Sequence, residues 1–254
     1  MIDCKKYADE ILDSVKGHGH LAVISIGDDP ASQVYIRGKK KDCERVGFKF
    51  THCAFRDDDL EDDVAYRIQE LNRNPSITGI ILQLPVPDDY DADKLAGLIA
   101  PEKDVDGFRP DSPFKPCTPE GIVYLLKKEL GKLTGKHAVV IGRGKLVGKP
   151  LAQMLLAEDM TVTVCHSKTP PETINELSWQ ADAIIVAAGC PGYFIFDEIG
   201  ANTVVVDCGI HRKGDGTLCG DVRCTCSDKF TPVPGGVGLL TRAMLIKHVE
   251  RDWE

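Results

Sequence analysis

His137-Ala-Val-Val-Ile141-Gly142-Arg143-Gly144-Lys145-Leu146-Val147-Gly148-Lys149-Pro150 joins a short apolar run to a glycine-rich turn and then to a helical stretch. The run His137–Ile141 is short and β-branched, so it reads as a buried strand feeding a helix. Glycines at such a turn let the backbone approach a pyrophosphate, whose charge then sits at the helix N-terminus. The spacing is G-x-G-x-x-x-G, one residue longer than the dinucleotide fingerprint. A tight strand-to-helix connection also uses glycine for its own sake, so the motif alone leaves a nucleotide site and a plain turn both open.

The next strand, Thr161–Cys165, should end where a ribose would lie. An NAD enzyme usually places Asp or Glu there for the 2′-hydroxyl. This chain has His166-Ser167-Lys168, and with Arg143 in the glycine turn that set suits a 2′-phosphate. Solvated loop residues are the plainer reading. NADP is expected in preference to NAD.

Outward from the turn the pattern is α/β throughout. Strands are expected at 21–26, 48–55, 79–84, His137–Ile141, Thr161–Cys165, 183–187 and Val204–Asp207, separated by helical stretches such as 32–46, 60–72 and 120–130. Strands alternating with helices imply crossovers and parallel sheets. Five prolines between 101 and 119 exclude regular structure there and mark a junction. A last helix, 239–250, follows the Pro- and Gly-rich segment 232–238. The expected architecture is two α/β domains with a cleft between them. One spans 1–120 plus the C-terminal helix 239–254, and the other is a Rossmann-like parallel-sheet domain over 121–238.

The 254 residues carry 43% hydrophobic residues, enough for a substantial core, and a formal net charge of −8. That balance argues against general binding to a phosphate backbone, which needs many Lys and Arg contacts. No apolar run reaches the roughly 18–20 residues of a membrane helix. No apolar stretch follows the first charged residues, so a cleaved leader is not expected. Ten cysteines in such a chain point to reduced thiols and a cytoplasmic protein.

The first domain holds Ser32-Gln-Val-Tyr35-Ile-Arg-Gly-Lys39. On a helix Tyr35 and Lys39 are i and i+4, with Ser32 one turn earlier on the same side. A lysine in a partly dry cleft can lose enough basicity to move protons near neutral pH. An ordinary solvated face bearing lysines has the same spacing.

Several segments together resemble the bifunctional methylenetetrahydrofolate dehydrogenase/cyclohydrolase family. They are Ser32-x-x-Tyr35-x-x-x-Lys39, Gly79-Ile-Ile-Leu-Gln83-Leu-Pro85, Pro101-Glu-Lys-Asp104-Val-Asp106-Gly107-Phe108 and Pro116-Cys-Thr-Pro119. The glycine turn, Cys165-His-Ser167 and Thr231-Pro-Val-Pro-Gly235-Gly236-Val-Gly238 follow in the family's order. The resemblance implies oxidation of 5,10-methylenetetrahydrofolate with NADP, then hydrolysis of the methenyl product to 10-formyltetrahydrofolate. It implies Lys39 as the acid/base residue of hydrolysis, Gln83 holding it, and Tyr35 packed on the aminobenzoyl ring. Asp106 would bind the pterin, with Ser32 nearby, and Gly235 and Gly236 would admit the folate where a side chain would collide. Gly142, Arg143, Gly144, Val147, Gly148, Ser167 and Ile210 would hold the nucleotide, and the family is usually dimeric. The apolar stretch 193–196 is a candidate interface.

Three departures from the family stand out. Gly144 replaces a common Ser, which weakens the case for NADP. Leu239-Leu240 replaces Pro-Met, which is expected to reshape the folate wall. The N-terminal segment is short, so a trimmed first helix is expected. A monofunctional NAD-dependent dehydrogenase and a non-catalytic folate-binding protein are the alternatives. Cys208, His211, Cys219, Cys224 and Cys226 cluster without a C-x-x-C pair, so zinc is not expected. The acidic stretch 57–63 reads as a helix start and 88–91 as a solvated loop. His166 has no Ser or Cys partner that would suggest a hydrolase triad.

Overall fold

The structure, a computed structural model, describes residues 1–200 and 202–252. The chain forms two compact units. One runs from Asp9 to Cys117 and resumes at Arg242; the other joins Met1–Ala8 to Thr118–Thr241. The first eight residues were expected in the former unit. They belong to the latter because the Ile2 amide donates to the Phe230 carbonyl at 2.8 Å and the Tyr7 hydroxyl to Glu129 at 2.8 Å.

Helix α1 (Cys4–Asp13) leads into β1 (His20–Ile26), α2 (Pro30–Val46), β2 (Lys49–Phe55), α3 (Glu61–Arg73), β3 (Gly79–Leu82) and α4 (Ala92–Gly97). The strands form a parallel sheet in the order β2-β1-β3, with Leu21 opposite Phe50 on one side and Gly79 on the other. Leu21 to Ile24 are wholly buried, as a central parallel strand covered on both faces requires. Val64, Ile68 and Leu71 of α3 lie at helical spacing on that core.

The start of α2 is set locally. Asp29 accepts from the Ser32 amide at 2.7 Å and Pro30 takes the first helical position, where no N–H is needed. The helix stops at Gly47, whose φ of 78° suits glycine.

Two expectations change here. Residues 88–91 form a turn in which Asp88, Asp89 and Asp91 are exposed, as expected, but Tyr90 is buried with its hydroxyl donating to the Asp59 carbonyl, and Asp91 caps α4 through the Lys94 amide at 2.9 Å. An aromatic body buried with its polar tip satisfied explains the departure. Regular structure also enters the proline-rich junction. Pro101–Lys103 form a 3₁₀ turn, and α5 (Cys117–Leu130) begins before Pro119, which sits in the first turn and lacks only an amide that turn leaves unpaired.

The second unit follows with β4 (His137–Ile141), α6 (Gly148–Ala157), β5 (Thr161–Cys165), α7 (Pro171–Trp179), β6 (Ala183–Val186), β7 (Phe194–Phe196) and β8 (Val204–Asp207). After these come β9 (His211–Arg212), β10 (Leu218–Cys219), β11 (Val222–Thr225) and α8 (Val237–Val249). Its main sheet is parallel in the order β5-β4-β6-β8, a Rossmann-like arrangement, and β7 pairs with β11 beside it. Among the described residues no helix is long and apolar enough to cross a membrane.

Candidate active site and nucleotide face

In the first unit α2 presents Ser32, Tyr35 and Lys39 on one side. Lys39 is buried at 8% exposure, and its Nζ donates to Gln83 Oε1 at 2.9 Å. Gln83 is held in turn, its Nε2 donating to the Leu84 carbonyl at 2.7 Å. That second bond fixes the amide so that its oxygen faces the amine. Burial pulls Lys39 below the ordinary amine range, while the negative charge of Asp106 opposes that shift. Asp106 itself is pushed up by burial and drawn back by Lys39. Burial also raises the Tyr35 phenol, against the nearby Arg242 charge. Ser32 is buried, with its hydroxyl donating to the Leu84 carbonyl at 3.4 Å. Lys39, Gln83, Asp106, Tyr35 and Ser32 therefore sit in one unit around a buried amine of lowered basicity. Lowered basicity brings such an amine closer to general acid/base work.

In the second unit the glycine turn borders two cavities. One has a volume of about 740 Å³, within the usual range of ligand pockets, and is lined in part by Gly142, Arg143, Gly144 and Ser167. The other measures 430 Å³ and is lined by Gly144, Val147, Gly148 and Ile210. Arg143 and Ser167 are exposed, leaving their polar ends available to an anion. Gly142 and Gly148 have reasons internal to the fold. A Cβ on Gly142 would lie 2.0 Å from the Ala187 carbonyl oxygen, and one on Gly148 would lie 2.2 Å from that of Gly142. Gly144 differs, since a Cβ there would meet nothing within 4 Å. The cavities, the exposed cation and the N-terminus of α6 together fit a dinucleotide.

The model described as "Tetrahydrofolate dehydrogenase/cyclohydrolase, catalytic domain" matches residues 2–106, and that described as "Tetrahydrofolate dehydrogenase/cyclohydrolase, NAD(P)-binding domain" matches 116–254. The chain belongs to the tetrahydrofolate dehydrogenase/cyclohydrolase family. Among relatives, the bifunctional protein FolD of Bacillus subtilis (strain 168) is 45% identical over 245 residues, covering 91% of this chain and 86% of that protein. The solved bifunctional FolD of Campylobacter jejuni is 39% identical with a TM-score of 0.89, over 97% of this chain and 95% of that one. The Trypanosoma brucei dehydrogenase-cyclohydrolase, solved with NADP cofactor and inhibitor, is 31% identical with a TM-score of 0.88, over 98% and 95%.

Within this dehydrogenase/cyclohydrolase chain, the loop glycines meet constraints of their own. Gly235 has a φ of +95°, and a Cβ on Gly236 would lie 2.2 Å from the Pro232 carbonyl oxygen. Both are thus required by the turn itself. Leu240 is wholly buried against Gly121 of α5, which places it in the core of its unit and not on a binding wall.

The sequence reading missed two buried carboxylates that shape the nucleotide face. Asp207 accepts from the amides of Gly209, Asp221 and Val222 at 2.9–3.0 Å. Asp221 accepts from the amides of Ala188, Gly189 and Cys190 at 2.8–2.9 Å and pairs with His211 Nε2 at 2.7 Å. An acid ending the apolar run Val204-Val-Val-Asp207 was the available signal, since a carboxylate there must have donors. His211, one of the residues weighed for zinc, is committed to Asp221. Tyr35 and Lys39 have a charged neighbour in Arg242, whose Nε donates to Asp42 Oδ2 at 2.7 Å.

Proposed function

We propose that this protein oxidises 5,10-methylenetetrahydrofolate with NADP and hydrolyses the 5,10-methenyltetrahydrofolate so formed to 10-formyltetrahydrofolate. The observation that carries the reading is the buried Lys39–Gln83 hydrogen bond at 2.9 Å with Asp106 acting on the same amine. In hydrolysis Lys39 takes a proton from water as its oxygen bonds to the methenyl carbon. It returns a proton to the ring nitrogen as the carbon–nitrogen bond breaks, and the hydroxyl releases its proton to solvent as it becomes the formyl carbonyl. Gln83 orients the amine, Asp106 and Ser32 hold the pterin, and Tyr35 packs on the aminobenzoyl ring.

Oxidation asks less of the side chains, because the nitrogen lone pairs flanking the methylene stabilise the cation; the protein mainly aligns the reacting carbons. The nicotinamide, when bound, supplies the hydride acceptor. Arg143 and Ser167 are assigned to its 2′-phosphate, and Gly142, Gly144, Val147, Gly148 and Ile210 to the rest of the dinucleotide. The NADP in the trypanosomal relative supports this choice. Gly144, which offers no hydroxyl, favours the second reading, NAD. The domain assignment goes with this reading: folate on the unit of residues 9–117 and 242 onward, nucleotide on the other. The protein is taken to work as a cytoplasmic homodimer, with neither nucleic acid nor membrane as partner.

The test compares two activities on one folded preparation. With methylenetetrahydrofolate, NADP should be reduced, at a higher rate than NAD at equal concentration. Lys39→Met should cut methenyl hydrolysis by about 10²–10⁴-fold, the usual contribution of a general acid/base group, and cut oxidation much less. Equal loss of both would reduce Lys39 to a binding residue, and intact hydrolysis would end its candidacy.

A further inference from the structure

Glycine in the interior of a helix costs about 1 kcal/mol relative to alanine, yet Gly38 sits in the middle of α2, next to Lys39. Space explains it. A Cβ at position 38 would lie 2.2 Å from an Arg242 terminal nitrogen and 2.8 Å from its Cζ. The guanidinium of Arg242, from α8, thus lies against the backbone of α2 where a side chain would push it away. It is anchored there by Asp42, one turn beyond Gly38, through the bond from Nε to Oδ2 at 2.7 Å. Both partners are largely buried, at 21% and 14% side-chain exposure. This is a held ion pair, unlike a solvated surface pair that gains little.

We propose that Arg242, pinned by Asp42 and seated over Gly38, is a positioning residue that holds a fixed positive charge beside the Tyr35–Lys39 face of α2. The inference rests on the assignment of Lys39 to hydrolysis. A positive charge near an amine disfavours its protonated form. Arg242 acts on Lys39 in that sense, adding to burial, and it favours ionisation of Tyr35. From α2 itself Cys43 also faces Lys39, and Asp42 stands one turn along. From the loop before α5 comes Asp106, with Asp104 and His248 acting on it in turn, and from the start of α5 comes Cys117. Asp106 favours the protonated amine, while the buried thiols stay neutral near pH 7. Arg242 is the cation that opposes Asp106, so it keeps the lysine able to accept a proton from water.

The experiment uses the full chain and reads the lysine directly as well as through activity. In protein labelled with [ε-¹³C]lysine, the Lys39 signal is assigned by its loss in Lys39→Met and titrated in the parent, Arg242→Gln, Arg242→Lys and Gly38→Ala. Loss of one nearby charge should move the Lys39 midpoint up by about half to one pH unit in Arg242→Gln. The rising limb of methenyl hydrolysis should move with it, giving about three- to tenfold less hydrolysis at a fixed pH on that limb and a smaller loss of oxidation. Gly38→Ala, which displaces the guanidinium without removing it, should shift in the same direction. Arg242→Lys should restore most of the parent value. An unmoved Lys39 titration in Arg242→Gln overturns the proposal, even if hydrolysis falls. A shifted titration with no hydrolysis in the parent would overturn instead the assignment of hydrolysis, and leave the charge arrangement standing.

Discussion

Under the proposed assignment, position 144 governs how firmly a 2′-phosphate is held at the glycine turn. A side chain there meets nothing within 4 Å, and its backbone is not in the left-handed region, so serine fits without strain. A hydroxyl bonded to a charged group is worth about 1.5–3 kcal/mol. Gly144→Ser should therefore raise the preference for NADP over NAD by about tenfold or more, read as the ratio of kcat/KM for the two nucleotides. A ratio that stays put would mean that the phosphate is held elsewhere. At this scale the sequence was readable where partners are close along the chain. Tyr35 and Lys39 share a face because they are i and i+4. The Lys39–Gln83 bond joins residues 44 apart and came into view only through family resemblance. Arg242 and Asp42 are 200 apart, and their pairing depends on how α8 packs on α2; its one trace in the sequence is a glycine placed mid-helix.

The element that matters most is α2, because it carries Ser32, Tyr35 and Lys39 in one register. Its start depends on a single side chain, the Asp29 carboxylate on the Ser32 amide. Losing an N-cap of this kind costs about 0.5–2 kcal/mol. Asp29→Ala should lower the urea midpoint accordingly, and hydrolysis should fall further than oxidation as the first turn frays under Ser32 and Tyr35. Equal activities with a lowered midpoint would show that the first turn does not position the site. The cap was legible as Asp-Pro after a strand, although the helix begins two residues before the expected start. The buried parallel strands were legible as short β-branched runs. Helix α1 was not, since Cys4, Ala8, Ile11 and Leu12 are buried at helical spacing but charged residues separate them. The short β9, β10 and β11 are too brief to show a period, and Asp207 and Asp221 brace their surroundings through partners distant along the chain.

Across the whole molecule the two α/β units follow from the order of strands and helices, but the chain passes between them within α1, α5 and α8, where continuous helical periodicity hides a boundary. The same cores bury several thiols, and these contribute to the response to alkali. Cys43 has no exposure, and burial first, then Asp42 and Glu44, push its thiol up to about 12 from 9.0. A raised native value means that the native state keeps its proton while the unfolded chain loses it above pH 9. The stabilisation is therefore complete below pH 9 and is lost as pH rises toward 12. Lys39 and Lys103, pulled down by burial, act in the opposite sense over the alkaline range, so the total slope mixes both kinds of group. A difference between parent and Cys43→Ala isolates the one thiol. Truncation costs a cavity at every pH, but it removes the proton linkage. Between pH 8 and pH 10.5 the parent should lose about 2 kcal/mol more of its unfolding free energy than the variant, which is the ionisation of one thiol over that range. Urea unfolding of both proteins under reducing conditions at the two pH values measures it. Parallel losses would mean that the Cys43 thiol ionises as readily in the folded protein as in the unfolded chain, and that its burial has no share in alkaline instability.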